Sequence, residues 1–510
     1  MRSVSVSLPT AEPARDSPVR RLLVQASHYS LGSILTTVAG LVSYPFLTRI
    51  FSLADYGAMS LVAATLTVCV SLGKLGVQHS IVRYHSEIVA GNSRFTLPQL
   101  YATSTFGMIS SAVVVMGLVV LGAQIAPAHW LGGERLRQLF AIASLLLVVQ
   151  VVESVFVNAL RSEQKTIAVN QYQVIKKYLV LGCLIGALLW IAPTLTVFYG
   201  ASVFAETVAV TGLVILALRR TDRPRPRLAS FSRPLYLEMI TFGIPMMIGS
   251  ELSGNVLAVG DRYVIGGLLG EAPLGLYSAA YNLCQYVQAV FISAVAMAIT
   301  PIYMRIWEEK GPDETAAFIS RSLRTYFLLG VPIVAGLAAV GPTLLRSLAG
   351  AKYGSAASVL PWVIAGMVVD GTNPMLGAGL YIQRRTRVIM AVVMGAATLN
   401  IGLNLLLVPR IGIVGAAVAT LVSYALASLS LAWSARSILR IVLPWGTMAR
   451  AAAAAAAMYA VLVRLPVHLD EHHWIDLGVH VAVGIAIYGA IMAVIDGDAR
   501  AIVRRVRGRN

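Results

Sequence analysis

FLTRIFSLADYGAMSLVAA, residues 46–64, reads as the end of one apolar span, a short turn with a small residue, and the start of the next span. DRYVIGGLLGEAPLGLYSAAY, residues 261–281, repeats that plan. Laying one block on the other pairs Ala54 with Ala272, Gly57 with Gly275 and Ser60 with Ser278. An even number of expected spans separates the blocks, so the two halves of the chain share one orientation. Parallel repeats of this kind build carriers with a central cavity between two bundles.

Working outward, the remainder of the chain supplies the spans this reading needs. Of its 510 residues 57% are hydrophobic and 12% charged, with a mean hydropathy of +0.76. A soluble domain carries roughly a quarter charged residues. Apolar runs of about 20 residues, the length that crosses a bilayer, recur from residue 25 to residue 495. They do not alternate apolar with polar, so they predict helices and not the strands of a closed barrel. We count about fourteen spans. Those at 171–192 and 195–217 are divided only around Pro193, and the run 237–268 is long enough to be tilted or broken.

The formal charge is +17 and the pI about 10.0. Arg and Lys collect in alternate short connections, which by the positive-inside rule places both termini in the cytoplasm. The C-terminal run Arg500, Arg504, Arg505, Arg507 and Arg509 fits this orientation. No nucleic-acid motif accompanies the charge, and a nucleic-acid role is excluded. Cys69, Cys183 and Cys284 lie within apolar runs without metal or disulfide spacing. The first apolar run has no small-residue cleavage site after it, so a removable signal peptide is not expected. The expected organisation is a cytoplasmic tail (1–22), a first lobe (23–217), a basic linker (218–236), a second lobe (237–435), a final helix pair (436–495) and a basic tail (496–510). The linker holds Arg219, Arg220, Arg223, Pro224, Arg225, Pro226 and Arg227. It reads either as a topology anchor attracted to anionic lipid or as the joint between two moving halves.

Four blocks carry a family resemblance: FLTRIFSLADYG (46–57), LGKLGVQHSIVRYHSE (72–87), ITFGIPMMIGSELSGNVLAVGDRYVIG (240–266) and DRYVIGGLLGEAPLGLYSAAYNL (261–283). They resemble the polysaccharide and O-antigen flippases of the multidrug/oligosaccharidyl-lipid/polysaccharide exporter superfamily. The resemblance implies an all-α polytopic fold in the cell inner membrane. Two parallel-related lobes of about six helices each form a V, followed by two C-terminal helices. It further implies alternating access and an undecaprenyl-diphosphate-linked oligosaccharide moved from the cytoplasmic to the outer leaflet, for lipopolysaccharide or exopolysaccharide synthesis. Lys74 is not part of the family pattern.

Such a cargo needs cations for its diphosphate and hydrogen-bonding groups for its sugars. Buried ionised groups in a bilayer usually face a cavity or a partner. The candidate cations are Arg49, Lys74, Arg83, Arg161 and Arg262, each of which either lines the cavity or snorkels to the interface. Asp261 adjoins Arg262, as a structural ion pair or as a gate or coupling group. Among the acids within spans, Glu153 shares a helix face with Gln150, and Glu251 with Asn255. Glu206 and Asp370 are also intramembrane. Asn282, Gln285 and Gln288, with Tyr277 and Tyr281, offer a sugar-facing surface, while Asn400 and Asn404 form another polar pair. Interhelical hydrogen bonding is the alternative reading for all of these polar groups. Pro45 and Pro245 mark bending points. His472 and His473 beside Asp470, Glu471 and Asp476 read as a solvated loop and not as a metal site. No metal or cofactor is expected.

An enzyme acting on lipid-linked sugars, such as a glycosyltransferase or polymerase, is disfavoured by short outer loops. No GxxxxGK[ST] loop occurs, so energy would come from a coupling ion (H+ or Na+), the membrane potential or product consumption. Expected partners are the lipid-linked oligosaccharide, membrane lipids and polysaccharide polymerase or assembly proteins. The transporter alternatives are a cation-coupled multidrug exporter and a lipid II flippase of the same superfamily. A scaffold without transport is the remaining alternative.

Overall fold

Because lipid offers no hydrogen bonds to the backbone, each apolar run satisfies its own peptide groups as helix. The protein is seen here as a computed structural model that describes residues 18–125, 134–219, 225–465 and 473–496, and no strand occurs among them. The N-terminal tail to residue 17, Arg220, Arg223 and Pro224 of the linker, Asp470 to His472, and the arginine run from Arg500 lie outside the described residues. In the first half the helices are α1 (Pro18–Ile50), α2 (Leu53–Lys74), α3 (Val77–Val89), α4 (Leu97–Ile125), α5 (Glu134–Ser162), α6 (Thr166–Trp190) and α7 (Leu195–Leu218). In the second they are α8 (Arg233–Met246), α9 (Ser253–Leu269), α10 (Glu271–Val287), α11 (Ser293–Lys310), α12 (Pro312–Ala349), α13 (Leu360–Asp370), α14 (Asn373–Leu376), α15 (Ala378–Ile382), α16 (Thr386–Ile411) and α17 (Ile413–Ala435). The last pair is α18 (Trp445–Leu462) and α19 (His473–Ile495).

Every expected span coincides with a helix or a broken run of helix. By length and apolarity, ten described helices are able to cross a membrane, or eleven with one bent pair. Three of the expected fourteen are not among these: the first, which counts only as a shorter apolar helix, Ile34–Ile50, and two where a helix is interrupted or diluted. A π-helical stretch, Gln288–Ile292, divides α10 from α11, and alanine-rich α18 carries Arg450.

The bent pair is α8 and α9, within the run expected to be tilted or broken. Their axes differ by 48° across a π-helical stretch, Met247–Leu252. Pro245 lacks the N–H that would bond back one turn, and the extra residue of the π turn absorbs the bend. The bent pair also straddles two packing environments. Leu235 and Met239 of α8 are buried in an apolar cluster with Val77 of α3, Leu100 of α4 and Leu147 of α5. Leu257 of α9 instead packs with Ala396 of α16 and Tyr424 of α17.

The start of α2 is set locally. Ser52 Oγ accepts from Asp55 N at 3.1 Å, and Asp55 Oδ2 accepts from Ser52 N at 3.2 Å, so two otherwise orphaned donors are paired. The C-terminal pair is fastened by charge. Buried Asp496 accepts from Arg324 of α12 at 2.9 and 3.1 Å and lies 3.2 Å from Arg450 of α18. An apolar groove of about 520 Å³ runs between α12, α18 and α19, lined by Phe291, Leu329, Met458 and Tyr488 among others.

Candidate transport site

The repeated blocks meet each other. Helices α2 and α10 cross at Gly57 and Gly275, so closely that a methyl group on Gly57 would stand 1.9 Å from the Glu271 carbonyl oxygen. One on Gly275 would stand 2.0 Å from the Leu53 carbonyl oxygen. Ser278 Oγ donates to Ser60 Oγ at 2.7 Å across the same crossing, a pair 218 positions apart. Leu53 and Glu271, Gly57 and Gly275, and Ser60 and Ser278 all share that offset, so the contact is two-fold symmetric. Small residues permit this approach, and dispersion with the serine bond holds it in a solvent where apolar contact alone gives little. Asn282 Nδ2 donates to Tyr56 Oη at 2.9 Å and Tyr44 Oη to the Ala279 carbonyl at 3.0 Å. Arg49 is a strut beside this crossing, donating to the Ser347 carbonyl at 2.7 Å. Arg135 of α5 pairs with Asp55 near the start of α2.

At the other end of α2 the chain turns sharply. Leu75 (φ 49°) and Gly76 (φ 74°) are both left-handed, and α3 begins at once. Only glycine fits at residue 76, because a methyl group there would stand 2.1 Å from the Gly243 carbonyl oxygen. Ser80 Oγ of α3 donates to the Met239 carbonyl of α8 at 2.8 Å. Arg94 and Glu238 are paired beyond it.

Around this turn, donors of the first half converge on one carboxylate of the bent pair. Glu251, on the π-helical stretch, accepts from Ser71 Oγ at 3.0 Å, from Lys74 Nζ at 3.3 Å and from Gln78 Nε2. His79 Nε2 lies 3.5 Å from its other oxygen. Asn255 Nδ2 donates to Ser71 Oγ at 2.9 Å. The Lys74 and Glu251 side chains are 20% and 22% exposed, so the cluster is reachable. Of the candidate residues, Lys74, Glu251 and Asn255 are thus brought together. Ser71, Gln78 and His79 were legible only as neighbours of Lys74, since nothing in the sequence says that the turn folds them onto Glu251.

A second charged cluster lies within the first half. Lys176 Nζ of α6 sits 2.6 Å from Glu153 of α5 and 3.1 Å from Glu206 of α7, and Gln150 donates to Glu206 at 3.2 Å. Gln150 and Glu153 therefore use their common face for partners inside the bundle. Lys176 is not among the candidate cations read from the sequence, although it falls within the expected span 171–192.

In the second half, Tyr277 Oη donates to Asp261, and the Arg262 guanidinium lies 5.6 Å from the centre of the Tyr281 ring. Asp261 is 1% and Arg262 8% exposed. Neighbours in sequence, they face a tyrosine each and no Asp261–Arg262 ion pair forms among the described contacts. Three further candidates stand apart. Arg83 belongs to α3, where it pairs with Glu87 at 2.8 Å and lies over Phe242, and Arg161 is exposed near the end of α5. Gln285 is exposed and Gln288 half-buried, whereas Tyr281 of the same stripe is buried. Asn404 donates to Asn400 at 3.0 Å and Asn400 to Thr420 of α17 at 3.4 Å, an interhelical bond of the packing kind.

Beside the Gly57–Gly275 crossing, along α2 and α9, a cavity of about 1120 Å³ opens against α4 and α5, walled by Leu61, Leu118, Phe140 and Tyr263 among others. No group of His, Cys, Asp and Glu able to hold a metal occurs among the described residues.

This arrangement can be set beside known proteins. The chain is 26% identical over 322 residues to the succinoglycan biosynthesis transport protein ExoT of Rhizobium meliloti, covering 62% of this chain and 60% of that protein. It is 23% identical over 242 residues to the probable low-salt glycan biosynthesis flippase Agl15 of Haloferax volcanii, covering 48% and 51%. These matches thus span only about half to three fifths of the relatives' lengths. The fold is that of the lipid II flippase MurJ in an inward closed conformation, with a TM-score of 0.74, 13% identity and coverage of 93% of this chain and 99% of that one. The family model for "Polysaccharide biosynthesis protein" matches residues 46–358. With more than half of its length so matched, the chain belongs to the polysaccharide biosynthesis protein family.

Proposed function

We propose that this protein flips an undecaprenyl-diphosphate-linked oligosaccharide from the cytoplasmic to the outer leaflet of the inner membrane, without catalysing a covalent step. The observation that carries the reading is the pair of contacts at opposite ends of α2. One, at Gly57 and Gly275, is neutral and symmetric; the other, at Gly76, Gly243 and Glu251, is charged. Two separable closures between two halves are what alternating access requires. The halves are residues 23–217 and 237–435, joined by the basic linker 218–236, with residues 436–495 added. Both termini are cytoplasmic, so the Gly57 contact closes the outer side and the Glu251 contact the cytoplasmic side. Lys74, Glu251 and Asn255 belong to the substrate path, and the apolar groove beside α18 and α19 suits an isoprenoid tail. Polysaccharide polymerase or assembly proteins would receive the product.

The test is leaflet assignment of labelled lipid-linked oligosaccharides in cells lacking the protein. Intact repeat units trapped on the cytoplasmic leaflet, and released by re-expression, are expected. Normal outward delivery in cells without a substituting flippase sinks the reading and favours a cation-coupled multidrug exporter.

A further inference from the structure

We propose that Ser71, Lys74, Gln78 and His79 form an oxyanion cradle for the diphosphate of an isoprenoid lipid, which Glu251 fills as an internal surrogate when the cytoplasmic side is closed. Binding of the diphosphate then displaces Glu251 and unlatches the two halves. This inference rests on the flippase reading and names the anion-binding part of its site.

The donors and the acceptor belong to different bodies. Ser71 and Lys74 lie on α2 and Gln78 and His79 on α3; the first three donate to the two oxygens of one carboxylate carried by the bent pair, and His79 Nε2 lies 3.5 Å from it. The cradle does not owe its shape to Glu251. Left-handed Leu75 and Gly76 fix the turn, Leu75 N–H bonds the Leu72 carbonyl at 3.1 Å, and Ser111 Oγ holds the Gly73 carbonyl at 2.5 Å. Donors arranged by backbone stay arranged when the carboxylate leaves. The carboxylate, in contrast, sits on a π-helical stretch at a 48° bend, where a change of helical register moves it away.

A fixed carboxylate on the path of a diphosphate would repel it. The conflict disappears if the two anions alternate in one site. A diphosphate brings more oxygens and more charge than a carboxylate, so it gains more from the same donors. It binds only when Glu251 is out, and this difference between the two states is what lets a ligand shift their balance. The Lys74 side chain, 20% exposed, gives it an entry point.

The experiment uses the full chain in nanodiscs of neutral phosphatidylcholine, with farnesyl diphosphate as the probe. Glu251→Gln keeps the side chain's size and removes its charge, and is expected to bind the probe about tenfold more tightly than wild type. Lys74→Ala is expected to bind at least about tenfold more weakly, with recovery in Lys74→Arg. In a background with the native cysteines replaced, Arg94→Cys and Glu238→Cys, at the exposed pair on the same side, report closure of this side through the rate of bismaleimide cross-linking. Farnesyl diphosphate should slow that rate in wild type, and Glu251→Gln should slow it without the probe. Unchanged or weaker probe binding by a folded Glu251→Gln variant overturns the cradle. So does an equal slowing by phosphatidylglycerol in the nanodisc with none by farnesyl diphosphate, which would assign the donors to a lipid headgroup. Either result leaves the leaflet assay intact, whereas a negative leaflet assay alongside tight, Glu251-sensitive binding removes only the flippase reading.

Discussion

Gly57 and Gly275 have no room for a single added methyl group, since each faces a backbone carbonyl of the other helix. A backbone contact cannot yield as a flexible side chain does, so Gly57→Ala must push α2 and α10 apart. We expect a loss of about 1–3 kcal/mol in stability from the overpacking. Transport should fall at least about tenfold, because the outer closure no longer forms. Wild-type transport by a Gly57→Ala variant would remove this crossing from the cycle. Lys176 is a second residue with a single decisive role. Its ammonium separates two carboxylates of different helices. Lys176→Met leaves both half-buried acids without their cation, and breaking such a pair costs about 3–5 kcal/mol. Thermal unfolding should show that loss, and Glu153→Gln in the same chain should recover part of it. If Lys176→Met unfolds like wild type, the triad is not holding α5, α6 and α7 together.

Helices α8 and α9 act as one element with a built-in bend. Pro245→Ala restores an N–H donor and improves helix propensity by about 3 kcal/mol in an ordinary helix interior. The variant is expected to be straighter and more thermostable, yet slower in transport, because Glu251 is carried away from Ser71 and Lys74. Distance measurements between labels on α8 and α9 would show the straightening; an unchanged bend would place its cause in the π-helical stretch alone. The C-terminal helices α18 and α19 depend on a different device. Asp496 is fully buried and held by Arg324 and Arg450 from two other helices. Asp496→Asn removes the charge that both guanidiniums face, and we expect a drop in melting temperature with α19 becoming protease-accessible. An Asp496→Asn variant that melts and digests like wild type would show that apolar packing alone retains the pair.

At the scale of the whole molecule the two halves touch through a symmetric contact, and the symmetry itself is testable. Ser60 and Ser278 oxygens lie 2.7 Å apart on the crossing. Cysteines at both positions, in a background without native cysteines, should form a disulfide under mild oxidation. Transport should stop on oxidation and return on reduction. Efficient cross-linking with unimpaired transport would mean that the crossing stays closed throughout, and the outer opening would then have to form between other helices.

Much of this was readable from the chain. The spans, their helical nature and the break in 237–268 follow from apolar length and from proline, both local properties. The repeat was readable too, through Gly57 and Gly275, because a close helix crossing tolerates few residue types. Which charges meet was not readable. Lys74 and Glu251 are 177 positions apart, and Lys176 and Glu153 lie on separate helices. Periodicity assigns each to a face but says nothing of the face opposite. Arg83 and Arg161 carry the same sequence signal as Lys74 and end elsewhere, because a tight left-handed turn and a bent helix select the partner of only one of them. The sequence by itself therefore determined a polytopic helical protein with two related halves. Only the tertiary structure decided which of its intramembrane charges form a site, since that depends on how separate helices pack and not on any property of one helix alone.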